Sequence, residues 1–168
     1  WLCALRPAAP WSIIAITFTN KAANELKERL SLMLGPEAQD IWAMTFHSAC
    51  CRIRRRDIER MGYEKSFTIY DSSDSKSLVK SLIKELNLDE KVYKPGLVHS
   101  RISNAKNHLI LPDAYAASAE MYRYDMDCKI PAMREIYKRY CERCVQSDAM
   151  DFDDLLVYTY LLFKNHPE

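Results

Sequence analysis

The chain has 168 residues, 48% of them hydrophobic and 28% charged, the balance of an ordinary globular domain and not of a disordered tail. Its 24 Lys and Arg against 23 Asp and Glu leave a formal charge of +1, so no global excess of one sign points to nucleic acid, a membrane surface or an acidic ligand, and any such surface must be local. The three glycines, Gly35, Gly62 and Gly96, build neither G-x-G-x-x-G nor G-x-x-x-x-G-K-[ST], so the usual nucleotide phosphate cradle is missing.

The six cysteines, Cys3, Cys50, Cys51, Cys128, Cys141 and Cys144, show no regular spacing and no secretory signal accompanies them, which favours reduced thiols in a cytoplasmic setting. Cys141 and Cys144 form one C-x-x-C, but a structural zinc site needs a second pair, which neither Cys128 nor His166 supplies. No metal is expected on the chain. No apolar run approaches the roughly 18 residues of a membrane span.

Trp1 to Pro10 reads as a loop or a truncated element, and a first residue that is Trp instead of Met suggests a cut or processed chain. Ile13-Ile14-Ala15-Ile16-Thr17-Phe18 is short, apolar and β-branched, the pattern of a strand buried on both faces. Asn20 is a good N-cap, after which Ala22, Ala23, Leu26, Leu30 and Met33 recur at helical steps until Gly35-Pro36. A second strand, Ile41 to Phe46, completes a parallel βαβ unit with a right-handed crossover. Beyond His47 the pattern is helical apart from a possible extended piece at Phe67 to Tyr70. One helix carries Ala49, Ile53 and Ile58 and closes at Gly62. Ser72 or Ser73 caps the next, with Leu78, Leu82, Ile83 and Leu86. Pro95 opens one with Val98, Ile102 and Ala105, and Pro112 a shorter one through Tyr115 and Ala119. A long helix through Met133, Ile136, Tyr137, Tyr140 and Cys144 leads past Asp151 to the last, with Leu155, Leu156, Thr159 and Leu162.

In parallel sheets ligands are met at the carboxyl ends of the strands. Here those ends carry Thr17, Phe18, Thr19 and Asn20, then Thr45, Phe46, His47 and Ser48. Hydroxyls for phosphate, aromatic rings for stacking and helix-start N–H groups suit a track for one nucleic-acid strand. Ordinary caps and core phenylalanines explain the same residues. Arg52, Arg56 and Arg60 stand at four-residue steps within a run that also holds Arg54 and Arg55, a stripe for phosphates or a solvated face. Lys106 and His108, near Asn104 and Asn107, read as a solvated cluster. Asp151, Asp153 and Asp154 read as helix capping and as complements to the helix dipole, not as a catalytic group. No nucleophile with a base and an oxyanion hole emerges around His47, Cys50 and Cys51.

Ala15-Ile16-Thr17-Phe18-Thr19-Asn20-Lys21-Ala22-Ala23 with Glu25-Leu26-Lys27-Glu28-Arg29 resembles motif Ia of the UvrD/PcrA/Rep family of superfamily-one DNA helicases. Thr45-Phe46-His47-Ser48 with Cys51-Arg52-Ile53 and Arg55-Arg56 resembles motif Ib. Ile102 to Asn107 and Asp151 to Leu156 resemble the helical insertion subdomain, so the likeness runs from about Trp11 to the end. It implies a mainly α fold, a helical insertion subdomain (47–168) attached to a small parallel βαβ remnant (1–46) of a RecA-like P-loop domain. It further implies an internal piece of an ATP-dependent 3′-to-5′ DNA helicase. Thr17, Phe18, Thr19, Asn20, Thr45, Phe46, His47, Arg52 and Arg56 would contact single-stranded DNA near a duplex junction. ATP and Mg²⁺ would be bound by the full-length protein and not by this piece, whose partners would be the remaining helicase domains in cis. Two other readings share these features: a helical nucleic-acid-binding or partner-docking module without a motor, and the helicase part of a RecB- or AddA-type nuclease-helicase.

Overall fold

A computed structural model describes residues 8–57 and 67–166. Trp1 to Pro7, Ile58, Arg60 and Gly62, on which some of the sequence expectations rest, lie outside the described residues. Among the described residues the chain is mainly helical, with two small parallel sheets of two strands each. It divides into two compact units, Trp1–Arg56 and Asp57–Glu168.

In the first unit β1 (Ile14–Thr17) leads into α1 (Asn20–Leu34), and β2 (Trp42–Thr45) leads into α2 (Phe46–Asp57). The strands are parallel, with Thr17 opposite Thr45, and α1 packs on both. Gly35 ends α1 at φ 63°, in backbone that favours glycine. Two expectations are corrected. Thr19, not Asn20, is the N-cap of α1: its backbone is still extended and its hydroxyl accepts from Ala22 N at 3.2 Å, whereas Asn20 is already inside the helix. Nor is β1 buried on both faces. Ile14 and Ile16 remain 53% and 48% exposed, because the covered face of the sheet is the one formed by Ala15, Thr17, Ala43 and Thr45. The β-branched run reflects fitness for a pleated surface as much as burial.

In the second unit β3 (Thr68–Tyr70) precedes α3 (Ser72–Glu85), α4 (Pro95–Asn107), α5 (Pro112–Ala117), α6 (Ala119–Asp127) and α7 (Met133–Gln146); β4 (Ala149–Asp151) then leads into α8 (Phe152–Asn165). β3 and β4 pair in parallel, Tyr70 opposite Asp151. β4, which no strand pattern in the sequence announces, is three residues long, wholly buried, and a strand only because β3 meets it. Asp71, not Ser72 or Ser73, caps α3, in a reciprocal box with Asp74. The single helix expected from Pro112 to Ala119 is two, broken at Ser118, whose hydroxyl caps α6.

The scarcity of glycine has a counterpart in how these helices end. Asn87, Leu109, Lys129 and Asp148 follow α3, α4, α6 and α7, and each adopts positive φ, between 45° and 59°. Behind the first three, Leu88, Ile110 and Ile130 donate backwards to the carbonyls of Ile83, Ala105 and Asp125 at 2.9–3.0 Å, closing the last turn and sending an apolar residue inward. Ile83, Ile102, Ile130, Met133, Ile136 and Tyr137 form the centre of the core at 0–1% exposure. The Tyr115 ring meets Tyr137 edge-on at 5.6 Å.

Candidate nucleic-acid interface

The parallel register sets the carboxyl ends of β1 and β2 side by side, and both strands end in threonine before a helix. The threonine hydroxyls work within the fold. Thr17 Oγ1 donates to the Thr19 carbonyl at 3.2 Å, Thr19 caps α1, and Thr45 Oγ1 meets Ser48 Oγ at 2.8 Å while accepting from Ser48 N at 3.3 Å. Thr45 is 9% exposed. β2 passes directly into α2, but β1 needs two residues, Phe18 and Thr19, before α1 begins. The first of these is thrown clear of the protein: Phe18 is 101% exposed, so it is no core residue. Phe46, in the first turn of α2, is 49% exposed, and Asn20, His47 and Ser48 are exposed beside these rings.

The arginine run divides by helical phase. Arg54 is buried, at 1% exposure, while Arg52, Arg55 and Arg56 are exposed. Ser48, Arg52 and Arg56 follow one another at four-residue steps along one side of α2. The Arg52 guanidinium lies over the Trp42 ring, 4.1 Å from its centroid. The structure thus gathers Thr17, Phe18, Thr19 and Asn20 with Thr45, Phe46 and His47 at one end of the sheet, with Arg52 and Arg56 further along the following helix.

The second unit holds a polar centre that sequence reasoning misplaced. Lys106 is not solvated: it is 2% exposed, and its Nζ donates to Asp151 Oδ2 at 2.6 Å and lies 2.7 Å from Asp154 Oδ1. Tyr140 Oη donates to the same Asp151 oxygen at 2.8 Å. Asp151 and Asp154 also form the expected capping box of α8, Asp154 N donating to Asp151 at 2.8 Å and Asp151 N to Asp154 at 3.2 Å. Burial alone would pull the Lys106 ammonium down, but the two carboxylates outweigh it and hold the ammonium well above its ordinary value. Burial would likewise raise Asp151, yet Lys106 keeps it below the usual carboxylate value. Asp154 is pushed up to about 6 by burial, against the pull of Lys106 and with the repulsion of Asp151, since two carboxylates share one cation. The neighbouring Asn104, Asn107 and His108 are exposed as expected. The one local clue was the spacing of Asp151 and Asp154, which the capping box explains by itself.

Cys144 is buried in the helical core and Cys141 packs against it, burial pushing the Cys144 thiol up to about 12. Such thiols are packing groups, not nucleophiles. Among the described residues no three His, Cys, Asp or Glu side chains stand together as a metal site, and no helix is long and apolar enough to cross a membrane.

A parallel strand–helix–strand unit with exposed aromatic residues at the carboxyl ends of its strands, joined to a mainly helical unit, places the chain among proteins of mixed α and β build. More specifically, the chain belongs to the UvrD/REP helicase family, whose N-terminal domain profile matches residues 2–168. It is 45% identical over its whole length to the ATP-dependent DNA helicase PcrA of Bacillus subtilis and 42% identical over 97% of its length to that of Staphylococcus epidermidis. The corresponding protein of Staphylococcus aureus is 41% identical over the same share. In each case the chain spans 22% of the relative's length.

Proposed function

We propose that this chain is part of an ATP-dependent DNA helicase that steps 3′ to 5′ along single-stranded DNA in the cytoplasm. Its share of that work is to hold the strand at the ends of β1 and β2. In this reading residues 1–46 are a piece of the first RecA-like motor domain, and residues 47–168 are mainly its helical insertion, placed near the duplex junction. The remaining helicase domains act in cis.

The exposure of Phe18 carries the reading. A phenylalanine wholly in water contributes no core packing, and beside Phe46 it offers a second ring on which unpaired bases can stack whatever their sequence. Arg52 and Arg56 supply cationic donors for the backbone phosphates. Asn20 and His47 add polar groups between rings and arginines, while Thr17, Thr19 and Thr45 act through the helix starts that their hydroxyls hold.

ATP and Mg²⁺ belong to other parts of the longer protein, for these residues do not fit them. The sequence has no phosphate cradle, and Asp151 and Asp154 are committed to Lys106. The chain on its own is expected to release no phosphate from ATP above the buffer blank, with or without DNA. The test of the strand site is anisotropy of a labelled oligo-dT titrated with the chain. Weak, salt-sensitive binding is expected, falling roughly 5- to 150-fold in Phe18→Ala if a stacked base contributes about 1–3 kcal/mol. A Phe18→Ala chain that binds as the wild type does removes the stacking role.

A further inference from the structure

Arg52 and Trp42 form a close pair in the first unit. Trp42 opens β2 and is half-buried, on the opposite face of the strand from Ala43 and Thr45. Its ring lies under the Arg52 guanidinium, 4.1 Å from centroid to central carbon. Among the described residues Arg52 donates no hydrogen bond to a protein acceptor, and the Trp42 ring is its contact. A guanidinium lying on a ring gives up its face but keeps its edge, where all five N–H groups lie. The result is an exposed cation, held over an indole face, whose donors are uncommitted. Arg54 shows the alternative fate in the same run, buried at 1% exposure.

We infer that Trp42 is a positioning residue, holding the Arg52 guanidinium over its ring so that the free N–H groups meet a phosphodiester oxygen of the bound single strand. The inference rests on the reading of the strand ends as a single-strand interface. Arginine carries much rotamer freedom, and one already stacked loses less of it when a phosphate arrives. Lysine cannot reproduce this, having a point charge and no plane.

The test is a salt series of oligo-dT binding by the protein, with melting temperature as the check on folding. Variants are Arg52→Ala, Arg52→Lys, Trp42→Leu, Trp42→Phe, and each tryptophan change combined with Arg52→Ala. Arg52→Ala is expected to flatten the slope of log affinity against log salt by about 0.7, one single-strand phosphate contact. Arg52→Lys is expected to keep much of the slope but bind more weakly. Trp42→Leu is expected to weaken binding roughly 2- to 5-fold, the size of an exposed cation–π contact, and to have no effect once Arg52 is alanine. If Trp42→Leu lowers the melting temperature, Trp42→Phe carries the test: its smaller loss must likewise vanish without Arg52. Equal losses in both arginine backgrounds overturn the inference, because a purely structural tryptophan acts regardless of Arg52. An unchanged slope in Arg52→Ala overturns it too, and a loss in Phe18→Ala then shows that the strand-end reading survives. If Phe18→Ala is also silent, both readings fall.

Discussion

Lys106 and Asp151, 45 positions apart in the chain, meet at 2.6 Å in the interior of the helical unit. This ion pair ties α4 to the start of α8, and Tyr140 of α7 joins it through the same carboxylate oxygen. Three helices thus converge on one buried charge. The arrangement is a fastener, and its energetics are those of partners that cannot be removed singly.

Replacing Lys106 by Met leaves Asp151 and Asp154 buried without their cation. Removing one partner of a buried pair costs about 3–5 kcal/mol, so urea unfolding of the variant should show a midpoint lowered accordingly, with the slope little changed. The triple variant Lys106→Met, Asp151→Asn, Asp154→Asn should recover part of the loss, because no buried charge then remains. A single variant as stable as the wild type refutes the fastener.

Asp154 gives a pH signature of unusual sign for a carboxylate. Its folded value, about 6, lies above its ordinary 3.8, so between those values the folded state keeps a proton that the unfolded state has released. Its contribution to stability therefore falls as pH rises from about 4 to 6, by up to roughly 1.4 kcal/mol per pH unit, and is level above. Asp151 titrates below this window and Lys106 above it. His99, lowered by burial against the pull of Asp151 and Asp153, acts oppositely, costing stability as pH falls. The wild type minus Asp154→Asn, each in a His99→Gln background, isolates the carboxylate. A difference that does not vary between pH 4 and 7 contradicts the assignment.

Lys129 ends α6 in left-handed backbone at φ 59° and is exposed. Side-chain-bearing residues pay about 1–2 kcal/mol there, and glycine's looser unfolded state returns part of that. Lys129→Gly should raise stability by about 0.5–1 kcal/mol, seen as a higher melting temperature. A lower one means that the lysine side chain contributes contacts outweighing its backbone strain.

Hydrogen exchange should distinguish the two units. Ile136 to Cys144 lies in the packed core, while β1 leaves Ile14 and Ile16 half in water. Amides of α7 are expected to exchange more slowly than those of β1. Equal or reversed protection shows that the small sheet is the firmer element.

Much of the architecture is local and was legible as such. The glycine stop at Gly35, the proline starts at Pro95 and Pro112, the cap at Asp151 and the apolar period of α7 each depend on neighbours within a turn or two. Helix ends without glycine were harder, since nothing in Asn87 or Leu109 alone announces a left-handed backbone; their signal is the apolar residue that follows and turns inward. The candidate strand site was legible as residue types at strand ends, while the exposure of Phe18 depends on the two-residue step from β1 to α1, and the stacking of Arg52 on how α2 passes Trp42.

Contiguous residues were enough for the helical period, the helix starts at Pro95, Pro112 and Asp151, the parallel βαβ order and the family, because periodicity and motif are local properties. Tertiary structure alone decided that Ala149–Asp151 is a strand, that Arg54 is buried while Arg52 is not, and that Lys106 is internal. A three-residue strand exists only where a partner supplies its hydrogen bonds, and a lysine enters the interior only where distant segments bring carboxylates within about 3 Å to offset its lost hydration.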